Sequence, residues 1–418
     1  MKNLAKNRLT QAMCLLLPSL NHAAEFNVTV GIDDGTGTIP QTLSWSILQA
    51  NTTPGSDVIT LDTDVTISGV MKRLIDSDVT ITSNGSDRRS INGDGLYRPL
   101  FVKSGTVTIS NVDIISGHAE GGSPGGAGLG GALFIYDGLV TISNVTINNS
   151  IALGNSGSQI AEQGGGGMFG DSVLPNGPGL DRSGGGGLFA STNSSLGAYG
   201  GYGLYNDVLS FGSGGNTSQN GGFGGGGGGA ASYFSQIGGN GGFGGAGGYC
   251  ACDGVGYISP GAGGFGAKSG DGGFGYRHTR LSSVPAHGFG ATRAGSAGLG
   301  GAIFVRSGHL NLNNVEFNNN QAQGIISTST APDSDGLGGA LFVMHTLNHS
   351  NGNNSGMPTT LPTVTGCEVT FVNNESSSDA GAQNNNDDIF NVGDRINLKT
   401  GQPLTSECSD IIFLDGFE

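Results

Sequence analysis

Apolar and polar residues alternate in short runs that recur along the chain. Val107 and Ile109 are followed by Val112 and Ile114, Val140 and Ile142 by Val145 and Ile147, and Leu310 and Leu312 by Val315 and Phe317. Alternation with period two, carried largely by β-branched residues, predicts strands. Within each run the alternation shifts by one residue, at Asn111, Asn144 and Asn314. Asparagine tolerates left-handed backbone and bonds its own main chain, so each marks a corner between two strands. Ahead of two of these runs stands a glycine turn. Gly128-Leu-Gly-Gly-Ala-Leu-Phe134 returns as Gly298-Leu-Gly-Gly-Ala-Ile-Phe304, and again as Gly336-Leu-Gly-Gly-Ala-Leu-Phe342. Leu133 precedes Ile147 by the same spacing as Ile303 precedes Phe317 and Leu100 precedes Ile114. One unit used again at constant spacing predicts an all-β fold, a right-handed parallel β-helix (solenoid). A single rung cannot bury its inner face until another stacks on it.

The ends of the stack have their own signals. Phe26 to Ile32 alternates as a strand, and Leu43, Ile47 and Leu48 have helical spacing just after Thr42, which predicts a short N-terminal capping helix carrying Trp45. Such a helix closes an apolar end whose strand edges would otherwise recruit other chains. A last strand is expected over 389–398. The third glycine repeat lacks the usual spacing, so the polar stretch from Met344 to Pro362 is expected to leave the helix as a loop, where solenoids often carry a binding face.

Between the repeats the chain turns to glycine. Tetraglycine runs precede Met168-Phe169 and Leu188-Phe189, and Gly-Gly-Phe recurs at Phe223, Phe243, Phe265 and Phe274. Glycine loses the most backbone entropy on ordering, which favours a flexible insertion. The recurring aromatics favour extended glycine strands packed as a polyproline-II-like lattice. Both readings stand, as does a third in which the tetraglycine runs are reduced rungs. The expected organisation is a signal peptide over 1–24, the N-terminal part of the β-helix with its cap over 25–161, and a large glycine-rich insertion over 162–297. The C-terminal part of the β-helix follows over 298–398 and a tail over 399–418.

The first 24 residues carry Lys2, Lys6 and Arg8 ahead of a short apolar core and end in Ala23-Ala24, as a secretory leader does. The apolar core is too short to span a bilayer. The 418-residue chain has 82 glycines, and its formal net charge of −15 becomes more negative once the leader and its three basic residues are gone. An acidic surface repels phosphate backbones and anionic lipid, which argues against nucleic acid and membrane-surface partners. Export permits disulfides, and Cys250, Cys252, Cys367 and Cys408 allow three connectivities. Pairing Cys367 with Cys408 would staple the last rung to the tail and is the connectivity preferred here.

Several of these residues resemble a known group. The opening from Thr42 to Asn51, the Gly-Gly-Ala turns at Leu133, Ile303 and Leu341, and Phe317-Asn-Asn-Asn320 with Phe371-Val-Asn-Asn374 are similar to exported bacterial proteins with polymorphic outer membrane protein repeats. The resemblance covers 26–150 and 298–395. It implies a cell-surface or secreted β-helix. The chain departs from the pattern at Ser44, where such proteins usually carry Arg, and at Ile147 to Ser150, which replaces one Phe-x-x-Asn. No translocator barrel is read after the repeats.

Catalytic chemistry finds little support. Cleavage of a glycosidic bond needs carboxylates on both sides of it, whereas the acids here, Asp33, Asp34, Asp62, Asp64, Asp94, Asp333, Asp335, Asp387 and Asp388, fall in turns. Arg88, Arg89 and Arg98 are expected to face solvent. His345 and His349 would share a metal only on a helix, and Asn348, Ser350 and Gly352 argue for a loop. No cofactor is assigned; calcium at the acidic turns is open, without the nonapeptide of calcium-binding β-rolls. The expectation is a non-catalytic, secreted or cell-surface, adhesin-like structural protein whose partner is a host or environmental surface glycan or protein. A polysaccharide lyase or hydrolase on the same fold is the alternative.

Overall fold

The computed structural model describes residues 23–85, 87–156, 165–172, 186, 188, 219–229, 238–248, 261–268, 295–325, 334–378, 387–390 and 396–399. Within them the chain is mostly strand, with one helix, Leu43–Thr52. The strands form sheets of twelve, six, four and three, and each strand pairing within them is parallel.

The register follows the alternation read from the sequence. Val79, Val107, Val140, Leu310 and Val364 stand one above the next, and so do Ile91, Ile114, Ile147, Phe317 and Phe371. Nearly all are buried, with Phe371 packing at the edge of the same cluster. Successive passes lie about 4.8 Å apart in a sheet. Each inward residue therefore meets its counterparts above and below, and contributes roughly 1.5–3 kcal/mol when fully buried. Leu133 pairs directly with Ile303, and Leu129 with Leu299. The two passes that flank the glycine-rich segment are thus neighbours, and no pass through Met168 or Leu188 lies between them.

The corners are where the alternation shifts. Asn111, Asn144 and Asn314 adopt φ of 54°, 54° and 52°, and Glu368 takes the same place in the next pass at 53°. The asparagines also bond one another: Asn144 Nδ2 donates to Asn111 Oδ1 at 2.7 Å, and Asn314 Nδ2 to Asn144 Oδ1 at 3.2 Å. Strands Leu139–Asn148 and His309–Asn318 run unbroken through this corner. A second left-handed corner falls at Asn149, Asn319 and Asn373. Just beyond it, Asn320 and Asn374 turn into the core. Asn320 Nδ2 donates to the carbonyl of Ile147 at 3.0 Å, and Asn374 Nδ2 to that of Phe317 at 3.1 Å. Asn374 Oδ1 accepts the Asn320 backbone N–H at 3.0 Å, and Asn320 Oδ1 accepts that of Ser150 at 2.9 Å. The Phe-x-x-Asn spacing thus sets an amide one corner past the apolar residue, where it satisfies main-chain groups of the neighbouring pass.

The helix closes one end. Thr42 caps it by accepting from the Trp45 N–H, and Leu43, Ile47 and Ala50 cover the core. Buried Asp33 receives both the N–H and the hydroxyl of Ser44 at 2.6 Å, together with the Gly35 N–H at 2.9 Å. A carboxylate at the first turn of a helix complements its dipole. Two end strands differ from expectation. The segment Phe26 to Ile32 divides into Glu25–Val28 and Ile32–Asp33 because the N–H groups of Thr29 and Val30 turn to the Gln41 carbonyl. Ile32 is consequently exposed. At the other end, Ile389–Phe390 and Ile396–Lys399 are separate strands, with 391–395 outside the described residues.

Candidate functional site

The strand after each glycine turn is only three residues long, and all three are buried. In Leu133-Phe134-Ile135 the outer two join the inner core, while Phe134 belongs to a second cluster on the other face of the sheet. Stacking the passes therefore builds a column of rings, Phe101, Phe134, Phe304, Phe342 and Phe390, with centroids 4.8, 5.1, 4.9 and 4.9 Å apart. Left bare, such a ridge would be a large apolar patch of the kind that drives association.

The glycine-rich segment covers it. Residues 219–229, 238–248 and 261–268 form three narrow loops with a phenylalanine at each tip. In the first, Gly225 N–H returns to the Gly222 carbonyl and Gly228 N–H to that of Gln219, at 2.8 and 2.9 Å. The tip glycines Gly224, Gly244 and Gly266 have φ of 77°, 80° and 70°, as a tight turn with glycine in its third position requires. Neighbouring loops bond at every third residue: Gly221, Gly224 and Gly227 donate to Asn240, Phe243 and Ala246. Three residues is the repeat of a polyproline-II helix. A methyl group at Gly242 would collide with the Gly222 carbonyl, so the spacing admits no side chain. The described part of the segment is thus an ordered glycine lattice.

The lattice docks on the repeats one loop at a time. The N–H groups of Ala127, Ala297 and Asp335, each just ahead of a Gly-Leu-Gly-Gly-Ala copy, donate to the carbonyls of Gly224, Gly244 and Gly266 at 2.8, 2.8 and 2.7 Å. Phe223, Phe243 and Phe265 form a second stack with 5.1 Å between rings. It meshes edge-to-face with the first: Phe223 lies against Phe134 and Phe304, Phe243 against Phe304 and Phe342, and Phe265 against Phe342. Met168 and Leu188 are buried in the same cluster. The signal for this pairing is the Phe in each copy, flanked by two inward residues, together with the recurring Gly-Gly-Phe units, of which the one at Phe274 lies outside the described residues; alternation alone does not reveal it.

Arg98 and the loop from Met344 to Pro362 fall elsewhere than expected. Arg98 is buried, not solvent-facing. Its guanidinium lies over Phe169, Phe134 and Phe101, and donates to the carbonyls of Gly130 and Leu129 at 2.7 and 2.5 Å. Burial pushes its pKa down to about 9, which leaves it charged at neutral pH. Arg306 likewise sits 4.0 Å over Tyr136 and donates to the Gly356 carbonyl. The loop does not stand free as a binding face; it straps the lattice. Asn351 Nδ2 donates to Gly241 and Gly263, Asn353 Nδ2 to Gly221 and Gly241. His349 Nε2 accepts from the Phe265 N–H at 2.7 Å, and burial lowers its pKa.

Among the described residues the candidate acids are spent on local structure or stand apart, and Asp333 lies outside them. Asp34 holds Thr36, Asp62 holds Asn84, and Asp64 accepts from Ser90. Arg88 pairs with Asp113 at 3.2 Å. Among the described residues no group of three His, Cys, Asp or Glu could hold a metal ion, and no helix is long and apolar enough to cross a membrane. Cys367 is buried and disulfide-bonded; Cys250, Cys252 and Cys408 lie outside the described residues.

Among the described residues, the outer face of the twelve-stranded sheet is open to a partner. Thr80, Thr108, Thr141, Asn311 and Thr365 form one half-buried column, and Thr82, Ser110, Ser143 and Asn313 run beside it. Both columns are uncharged and built from hydroxyls and amides. The chain matches no protein family, no curated protein and no solved structure in the comparisons made.

Proposed function

We propose that this chain is a non-catalytic, exported structural module of adhesin-like character, secreted or held at the cell surface. In this reading its passes wind as a right-handed parallel β-helix of the kind found in polymorphic outer membrane repeat proteins. The observation that carries the reading is the pair of threonine, serine and asparagine columns on the sheet's outer face. Regularly spaced hydroxyls and amides suit a neutral surface glycan, which offers the same groups in return, and their lack of charge suits neither phosphate nor a transition-state cation. Pairing Cys367 with Cys408 would tie the last pass to the tail; non-reducing peptide mapping tests it.

A polysaccharide-cleaving enzyme is the competing reading, and it requires two carboxylates flanking a bond. Incubation of the purified protein with a panel of neutral and acidic polysaccharides distinguishes the two. Retention on a neutral glycan without new reducing ends or unsaturated products is expected. Products that accumulate with time would overturn the proposal.

A further inference from the structure

Asp57 opens the strand Asp57–Leu61, and its side chain is fully buried. Oδ1 accepts the backbone N–H of Ala24 at 2.7 Å, while Oδ2 is buried with no hydrogen-bond partner. None of the ion pairs among the described residues involves it. An ionised carboxylate has about four acceptor sites, and burying one against a single amide leaves both its charge and its second oxygen uncompensated. Ala24 is held from its other side as well. Its carbonyl accepts the Val58 N–H at 2.8 Å, and Glu25, next in the chain, stands in register with Val58. Ala23, one residue earlier, is exposed. Ala24 is thus the first of the described residues that the stack holds.

We propose that the mature protein begins at Ala24, released by hydrolysis of the Ala23–Ala24 bond, and that its α-ammonium group is the partner of Asp57. The inference rests on the reading of an exported chain with a leader. In the cleavage, performed by a leader peptidase, water breaks the C–N bond. The Ala23 carboxylate departs with the leader, and the new amine takes up a proton. One N–H donor becomes three, and a positive charge appears beside the buried carboxylate while Oδ1 keeps its bond. A cut after Ala24, where the sequence places the end of the leader, would remove both hydrogen bonds described above. Ala23 meets the need for a small residue before the cut as well as Ala24 does.

The full-length chain is expressed with its leader in an exporting bacterial host, and the exported protein is read by N-terminal sequencing and intact mass. Ala24 is the expected first residue. A chain still beginning at Met1 sinks the leader reading and this proposal with it. One beginning at Glu25, or anywhere else, leaves export standing and overturns this proposal alone. The pairing itself is read from acetylation of the α-amine against pH, followed on the N-terminal peptide. Burial alone would lower the pKa of the amine, whereas a carboxylate partner raises it. The midpoint should therefore lie above the ordinary α-amino range of about 7.7–8.0. At neutral pH, Asp57→Asn should react on the order of ten-fold faster, one pKa unit being a factor of ten. A midpoint within or below the ordinary range overturns the pairing, and that measurement needs only the unsubstituted protein should Asp57→Asn fail to fold.

Discussion

The molecule has two cores that solve the same problem with opposite chemistry. The inner one is packed with Val, Ile and Leu on parallel strands, and each residue repeats in register in the next pass. The outer one is a mesh of phenylalanines closed by backbone that has almost no side chains of its own. In the first, side chains fill the space between sheets and the backbone bonds along the stack. In the second, the backbone is itself the packing surface, and glycine is required because the next strand occupies the site of a Cβ. Glycine content alone therefore says little about order; what matters is whether aromatics recur at intervals that let them meet a ridge.

Substitutions can separate the two cores. Ile142 is fully buried in the inner core, flanked by Ile109 and Leu312. Ile142→Asp should cost more than about 4 kcal/mol and abolish the cooperative melting of the whole molecule. Replacing 162–297 with a short Gly/Ser linker should do something different. The passes on either side already pair, so β-sheet signal should persist, but the bared Phe ridge should make the product associate, as light scattering would show. An insoluble product without β signal would mean that the inner core depends on the outer.

Phe243→Ala removes the ring that bridges Phe304 and Phe342. A loss of about 3–5 kcal/mol is expected. Hydrogen exchange should rise across 219–268 and 344–362 while strands Leu139–Asn148 and His309–Asn318 stay protected. Uniform loss of protection would merge the two cores into one cooperative unit.

Acid should also act on the outer core first. Burial holds the pKa of His349 below its ordinary 6.5, so the folded form favours the neutral ring, which accepts from Phe265. Stability from this group is complete above the unfolded value and falls as pH drops through and below it. Faster exchange of the strap between pH 7.5 and 5.5, lost in His349→Gln, is the expected outcome. The smallest effect belongs to Thr141, on the outer face, where Thr141→Ser should shift stability by less than about 0.5 kcal/mol.

The inner core was legible in the sequence to single residues because alternation, corner asparagines and the Phe-x-x-Asn spacing are local patterns whose parity sets the face. Asn144 at a left-handed corner and Ile142 facing inward both follow from a few neighbours. The outer core was less legible because its contacts join Phe223 to Phe134 and Asn353 to Gly221 across long stretches of chain. Arg98 shows the same limit: a lone arginine reads as surface until the rings that cover it are known to converge. Asp57 stands in no pattern that the sequence singles out, and only the placement of Ala24 beside it gives its carboxylate meaning.

The pairing of three glycine loops with three repeats has a consequence for the order of assembly. All three loops precede Ala297 and Asp335 in the chain, so during synthesis two of them emerge before their docking sites exist. Only the loop tipped by Phe223 finds Ala127 and Phe134 already formed. The others must wait, and Phe304 and Phe342 then arrive beneath rings that are already in place, so the lattice serves as a mould against which the later passes are laid.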